Sequence, residues 1–156
     1  MPDLTVRPVR APGFVELGTQ YLPGSEWVYA RLYMSHDDGE RFIVDDLGEL
    51  IGSLAPAWDD WFFVRYMDPD PHIRLRIHAR EPLHAIPIQL ALRDMSVSLR
   101  ECGYCRIMEL GWYEPEYARY GGSEGLAFAH RVFTADSALV VALLQAERAS
   151  EAEPNW

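Results

Sequence analysis

The residues best suited to chemistry lie in one short alternating segment, His72-Ile-Arg-Leu-Arg-Ile-His78, with a further arginine at position 65. In a strand alternate residues share a face, so His72, Arg74, Arg76 and His78 project together. Adjacent guanidinium groups repel one another unless an acid, an anionic ligand or a partner chain balances them. Their planar forks grip carboxylate or phosphate bidentately. Two readings stay open at this level: an anion-binding face, and a solvated face whose arginines pair with local acids or pack against a partner. Cys102-Gly-Tyr-Cys105 has the spacing of redox and zinc sites, yet a single pair between a helix end and a strand start reads as ordinary thiols, and no metal is expected. Gly121-Gly122 offers free N–H groups to an anion or simply makes a turn. Glu109, Glu114 and Glu116 have the type of a general base but no spacing that sets them apart. No phosphate-loop, nucleophile-elbow, zincin or dinucleotide motif is present, so no cofactor is expected.

The elements that must position these groups can be read from the hydrophobic period. Trp27 to Ser35 alternates as a strand. Ile43, Leu47, Leu50, Ile51 and Leu54 fall on one helical face, which predicts a helix over about 38–55 that ends at Pro56. Asp60–Met67 and His72–Ala79 read as a hairpin around Asp68-Pro-Asp-Pro71, because two prolines cannot both sit inside a ladder. A second helix follows over about 83–102, with Gly103 as its C-cap, then a strand over 104–113 and two final helices, the second capped by Asp136 or Ser137. The class is α+β: a ferredoxin-like β-α-β-β-α-β sandwich with two additional C-terminal helices, both crossover helices on one sheet face. Val28, Leu32, Ile73, Leu75 and Ile77 should lie beneath the helices. Tyr29, Arg31, Tyr33, Trp61, Phe63, Arg65, Arg74 and Arg76 should lie on the opposite face. Tyr29, Tyr33, Trp61, Phe63 and Trp112 are many aromatics for an open face, which predicts a homodimer or a tight partner.

Residues 1–25, rich in proline and glycine, read as an arm that is docked or disordered; 26–150 read as the domain and 151–156 as a tail. At 156 residues the chain suits one domain with a real core. Twenty-four acids against fourteen bases, all arginine, give a net charge of −10, which argues against direct nucleic-acid or anionic-membrane binding. Residues 61–80 reverse that balance locally, with four arginines against two acids. No signal sequence or apolar run of roughly 18 residues is visible and only two cysteines occur, so a reducing cytoplasm is expected.

Three segments occur together in order: Trp61-Phe-Phe-Val-Arg-Tyr-Met-Asp-Pro-Asp-Pro-His-Ile-Arg-Leu-Arg76, Tyr113-Glu-Pro-Glu-Tyr-Ala-Arg-Tyr-Gly-Gly122 and Val132-Phe-Thr-Ala-Asp-Ser137. With the opening strand Trp27–Tyr33, they make residues 25–145 resemble the C-terminal domain of class I lanthipeptide (lantibiotic) dehydratases. That domain also occurs alone in thiopeptide-type bacteriocin pathways. The resemblance implies a lyase step in ribosomal-peptide maturation. A partner enzyme glutamylates serine or threonine of a precursor peptide, and this domain eliminates glutamate to leave a dehydroamino acid. By position in the motifs it implies Arg74, Arg76 and Arg119 as catalytic or glutamate-gripping, and Arg65, His72, Tyr120, Gly121 and Gly122 as substrate-binding. The expected partners are the precursor peptide and either a glutamylating dehydratase or a second copy.

Members of the family usually continue well past the Asp-Ser motif and supply a further histidine. No histidine follows His130 here, and His72 and His78 are the available substitutes. Half of a split enzyme, an oligomer that completes its site across an interface, and a non-catalytic peptide-binding module are therefore alternatives. A pyridine-forming cycloaddition is a fourth, more distant one.

Overall fold

A computed structural model describes residues 20–152. Strands β1 (Trp27–Tyr33), β2 (Trp58–Tyr66), β3 (His72–Ala79) and β4 (Ile107–Leu110) form one antiparallel sheet in the order β2-β3-β1-β4. Between β1 and β2 runs a helix in two parts, α1 (His36–Phe42) and α2 (Gly48–Ser53), joined by a π-helical turn at Ile43–Leu47. The Ser35 hydroxyl starts it by accepting from the Asp38 amide at 3.1 Å. Helix α3 (Ala85–Glu101) links β3 to β4, and Gly103 ends it at φ +79°, a conformation that favours glycine.

The core forms where the periods predict. Val28, Leu32, Ile73, Leu75 and Ile77 line one sheet face, and Phe42, Ile43 and Leu47 with Ile88 and Leu92 of α3 cover it. Each of these side chains contributes on the order of 1.5–3 kcal/mol through burial.

Three expectations need correction. Trp61, Phe63 and Arg65 do not share a face with Arg74 and Arg76. The register pairs Trp61 with Ile77, Phe63 with Leu75 and Arg65 with Ile73, so the odd residues of β2 turn toward the core. Phe62, Val64 and Tyr66 take the open face instead. The aromatics expected to mark an interface are thereby largely used inside the fold, since Trp61 and Tyr29 are buried. Second, the last two helices are one, α4 (Gly122–Ala152). No proline or glycine interrupts the segment after Gly125, and Asp136-Ser137 lies mid-helix rather than at a cap. The helix also takes in residues 151 and 152 of the expected tail. Third, β4 stops at Leu110 because the chain then leaves the sheet to pair Tyr113 with Tyr21, with N–O distances of 2.8 and 2.9 Å. That bridge docks residues 20–25; the rest of the expected arm, residues 1–19, and residues 153–156 lie outside the described residues.

Helix α4 runs along the free edge of β2. Thr134 Oγ1 accepts the Trp61 amide at 3.0 Å, and Ser137 Oγ accepts the Phe63 amide at 3.2 Å. An edge strand with open amides is thus closed by helix hydroxyls instead of another strand. Farther along, Val141 and Gln145 meet α2 at Gly48, and Arg148 pairs with Asp45 at 2.7 Å.

Candidate functional site

β3 places Arg74 and Arg76 two residues apart on the open face, and both line a cleft of about 450 Å³. Its walls are Phe62 and Tyr66 from β2, Tyr113, Glu114, Glu116, Arg119 and Tyr120 from the loop after β4, and Phe133 with Asp136 from α4. That volume is within the range of small-ligand sites.

Arg76 is set in an aromatic box. Its guanidinium carbon lies 4.7 Å from the Tyr29 ring centre, 5.2 Å from Tyr113 and 5.3 Å from Phe62. Its Nε is buried and has no hydrogen-bond partner among the described residues. Burial lowers its pKa, which shows how little solvent supports the charge. Among the described residues neither Arg74 nor Arg76 forms an ion pair with a carboxylate.

Arg74 is held from beneath. Its Nε donates to His72 Nε2 at 3.0 Å, and its guanidinium lies 3.6 Å over the Tyr66 ring. An arginine can only donate, so His72 Nε2 is the acceptor and its Nδ1 carries the proton, bonded to the Asp70 carbonyl at 2.7 Å. His72 is buried, with Tyr33 and Tyr66 packed around it, and it orients Arg74 rather than lining the cleft.

Arg119 stands exposed at the rim, 3.2 Å from Glu116, and Tyr120 beside it packs edge-on to Phe133. Gly121 and Gly122 turn the chain at φ +76° and +90°, and the Gly122 amide bonds back to the Tyr117 carbonyl at 2.8 Å. That amide is occupied, so Gly122 serves the turn that presents Arg119. Gly125 lies so close to the Tyr120 carbonyl that any side chain there would collide with it. Glu114 and Glu116 line the exposed rim, whereas Glu109 sits on β4 opposite Arg31 at 3.6 Å. Arg65 is absent from this group: it projects from the helix-covered face toward His36 and Glu40, at 3.4 and 3.7 Å.

Tyr113 and His130 form an uncharged pair beside Arg76, with a hydroxyl-to-Nε2 distance of 2.8 Å. Burial pushes the Tyr113 phenol up to about 12. Burial, then repulsion from His78 and Arg76, brings His130 from 6.5 down to about 4. Both groups are therefore neutral near pH 7. Tyr113 opens one of the sequence motifs, but nothing in its spacing distinguished it as part of the site. Phe62 was hidden by the face assignment of β2.

The lowered value of His130 makes stability depend on pH. Above about 6.5 the imidazole is neutral in both folded and unfolded chains and has no effect. As pH falls from 6.5 toward 4 the unfolded chain takes the proton first, which destabilises the fold by up to roughly 3 kcal/mol. His130→Gln is expected to flatten the denaturant midpoint across this window; an unchanged slope would assign the acid sensitivity to other groups.

Residues 27–155 match the lantibiotic biosynthesis dehydratase C-terminal family. The chain belongs to that family. It is 34% identical over 126 residues to the nisin biosynthesis protein NisB of Lactococcus lactis subsp. lactis, an alignment that covers 79% of this chain and 12% of that protein. It is 31% identical over 129 residues to the subtilin biosynthesis protein SpaB of Bacillus subtilis, covering 81% of this chain and 12% of that one. The crystal structure of the tRNA-dependent lantibiotic dehydratase MibB from Microbispora sp. 107891 superposes with a TM-score of 0.69 at 33% identity, over 92% of this chain and 13% of MibB. The chain thus spans about one eighth of the length of these relatives.

Proposed function

We propose that the cleft binds a glutamylated serine or threonine of a precursor peptide and eliminates glutamate from it. The observation that carries this reading is Arg76, a desolvated guanidinium that pairs with no carboxylate among the described residues, beside the fixed guanidinium of Arg74. In the reaction a general base takes the proton from Cα and the Cβ–O ester bond breaks. The electron pair of the C–H bond becomes the new C=C bond, and glutamate departs with its carboxylate restored. Arg74 and Arg76 hold the glutamyl carboxylates and offset charge that builds on the peptide enolate, and Arg119 closes over them from the rim. The strand order and the β-α-β-β-α-β succession support a ferredoxin-like sandwich as the scaffold. The glutamylated peptide would come from a separate glutamylating enzyme. The competing reading is a peptide-binding module without catalysis.

The test is mass spectrometry of a glutamylated precursor peptide incubated with the full chain, alone and with a glutamylating dehydratase. Loss of the glutamate mass with appearance of a dehydroamino acid supports elimination. Binding without release under both conditions establishes the module instead. Arg119→Ala, which removes an exposed and already paired charge, is expected to slow release only about fivefold, near 1 kcal/mol.

A further inference from the structure

Helix α4 buries Leu126, His130, Ser137 and Val141 against the sheet and α2, and no other described element covers its opposite side. That outer side is apolar: Phe128 is 65% exposed, Leu139 57% and Val132 47%, and alanines fill the positions between them. The spacing is regular. Phe128, Val132, Ala135, Leu139, Ala142 and Ala146 advance by steps of 4, 3, 4, 3 and 4 residues, the seam of a coiled coil. No charged residue interrupts the seam from Phe128 to Ala146.

We propose that α4 pairs with α4 of a second copy in an antiparallel two-helix seam. The order of large and small residues selects the occupant and its direction. In an antiparallel pair about a two-fold axis near residue 137, the layers are Phe128 with Ala146, Val132 with Ala142, and Ala135 with Leu139. Every layer joins one large side chain to one alanine, so the helices approach at even separation. A parallel pair in register would set Phe128 on Phe128 and Ala135 on Ala135, alternating crowded layers with hollow ones. The seam is about 27 Å long. It would bury roughly 500–600 Å² per copy, enough to reach the ~1,000 Å² total of a specific interface. The cleft lies on the opposite side of α4, so it stays open, and the pairing does not depend on the chemistry proposed for it. Within Gly122–Glu151, α4 has an 18-residue window of mean hydropathy 1.4, enough by length and composition alone for a membrane span. Its inner face, however, hydrogen-bonds the β2 amides through Thr134 and Ser137, which favours a helical partner on one side over lipid all around.

Sedimentation of the full chain over a concentration series tests the pairing. Wild type should dimerise with a dissociation constant in the micromolar range, and Leu139→Glu should weaken it at least ~30-fold. Leu90→Glu, which changes an exposed leucine on α3, should leave it unchanged. For direction, Phe128→Cys and Ala146→Cys are made in a Cys102→Ser background. The mixture of the two should cross-link, and each variant alone should not. A monomer at about 100 µM, a dimer indifferent to Leu139→Glu, or cross-links within each single variant would overturn the proposal. So would Leu139-dependent flotation with phosphatidylglycerol vesicles in place of dimerisation.

Discussion

Arg76→Ala is expected to lower glutamate release by one to two decades, about 1.5–3 kcal/mol, while the melting temperature changes little. The loss is large because the guanidinium acts from a site shielded by Tyr29, Phe62 and Tyr113, where a charge-assisted contact is not diluted by water. Stability should hold because no carboxylate among the described residues pairs with Arg76, so none loses its partner. Arg76→Lys should recover little, since an ammonium cannot reproduce the planar fork. Arg65→Ala provides the contrast: its side chain projects from the other face of the sheet, so release should match wild type. Equal rates for Arg74→Ala, Arg76→Ala and wild type would leave the enzyme reading standing and remove this site.

The second large effect is on stability. Thr134→Val together with Ser137→Ala should lower the melting temperature by roughly 5–15 °C. Two β2 amides, at Trp61 and Phe63, would lose their acceptors, and each unsatisfied donor costs about 1–3 kcal/mol. The same change loosens α4 from the sheet, so peptide affinity should fall in the folded fraction too, because Phe133 and Asp136 form one wall of the cleft. Thermal melts and peptide titration of the double variant check both parts. A shift below 2 °C would mean that water replaces the hydroxyls at this edge.

Local chemistry in the chain determined much of the framework. Alternation in Trp27–Tyr33 and His72–Ala79 is set by each strand's own residues, and the aliphatic set at Val28, Leu32, Ile73, Leu75 and Ile77 has only one way to leave water. The three motifs likewise carried the family. Tertiary structure decided the faces of β2. Its run of Trp61, Phe62 and Phe63 is apolar at both parities, so only pairing with β3 distinguishes core from cleft, and a shift of one residue moved Arg65 out of the site and Phe62 into it. The length of α4 was a tertiary outcome as well. Asp136-Ser137 has the composition of a cap, yet Ser137 is turned to the Phe63 amide, a partner more than seventy residues away that no local window includes. The pairing of Tyr113 with His130 arose in the same way, from α4 folding back over the open face, where burial keeps both groups neutral and the charges of His78 and Arg76 add to the effect on His130 alone, though the two residues are unremarkable in sequence.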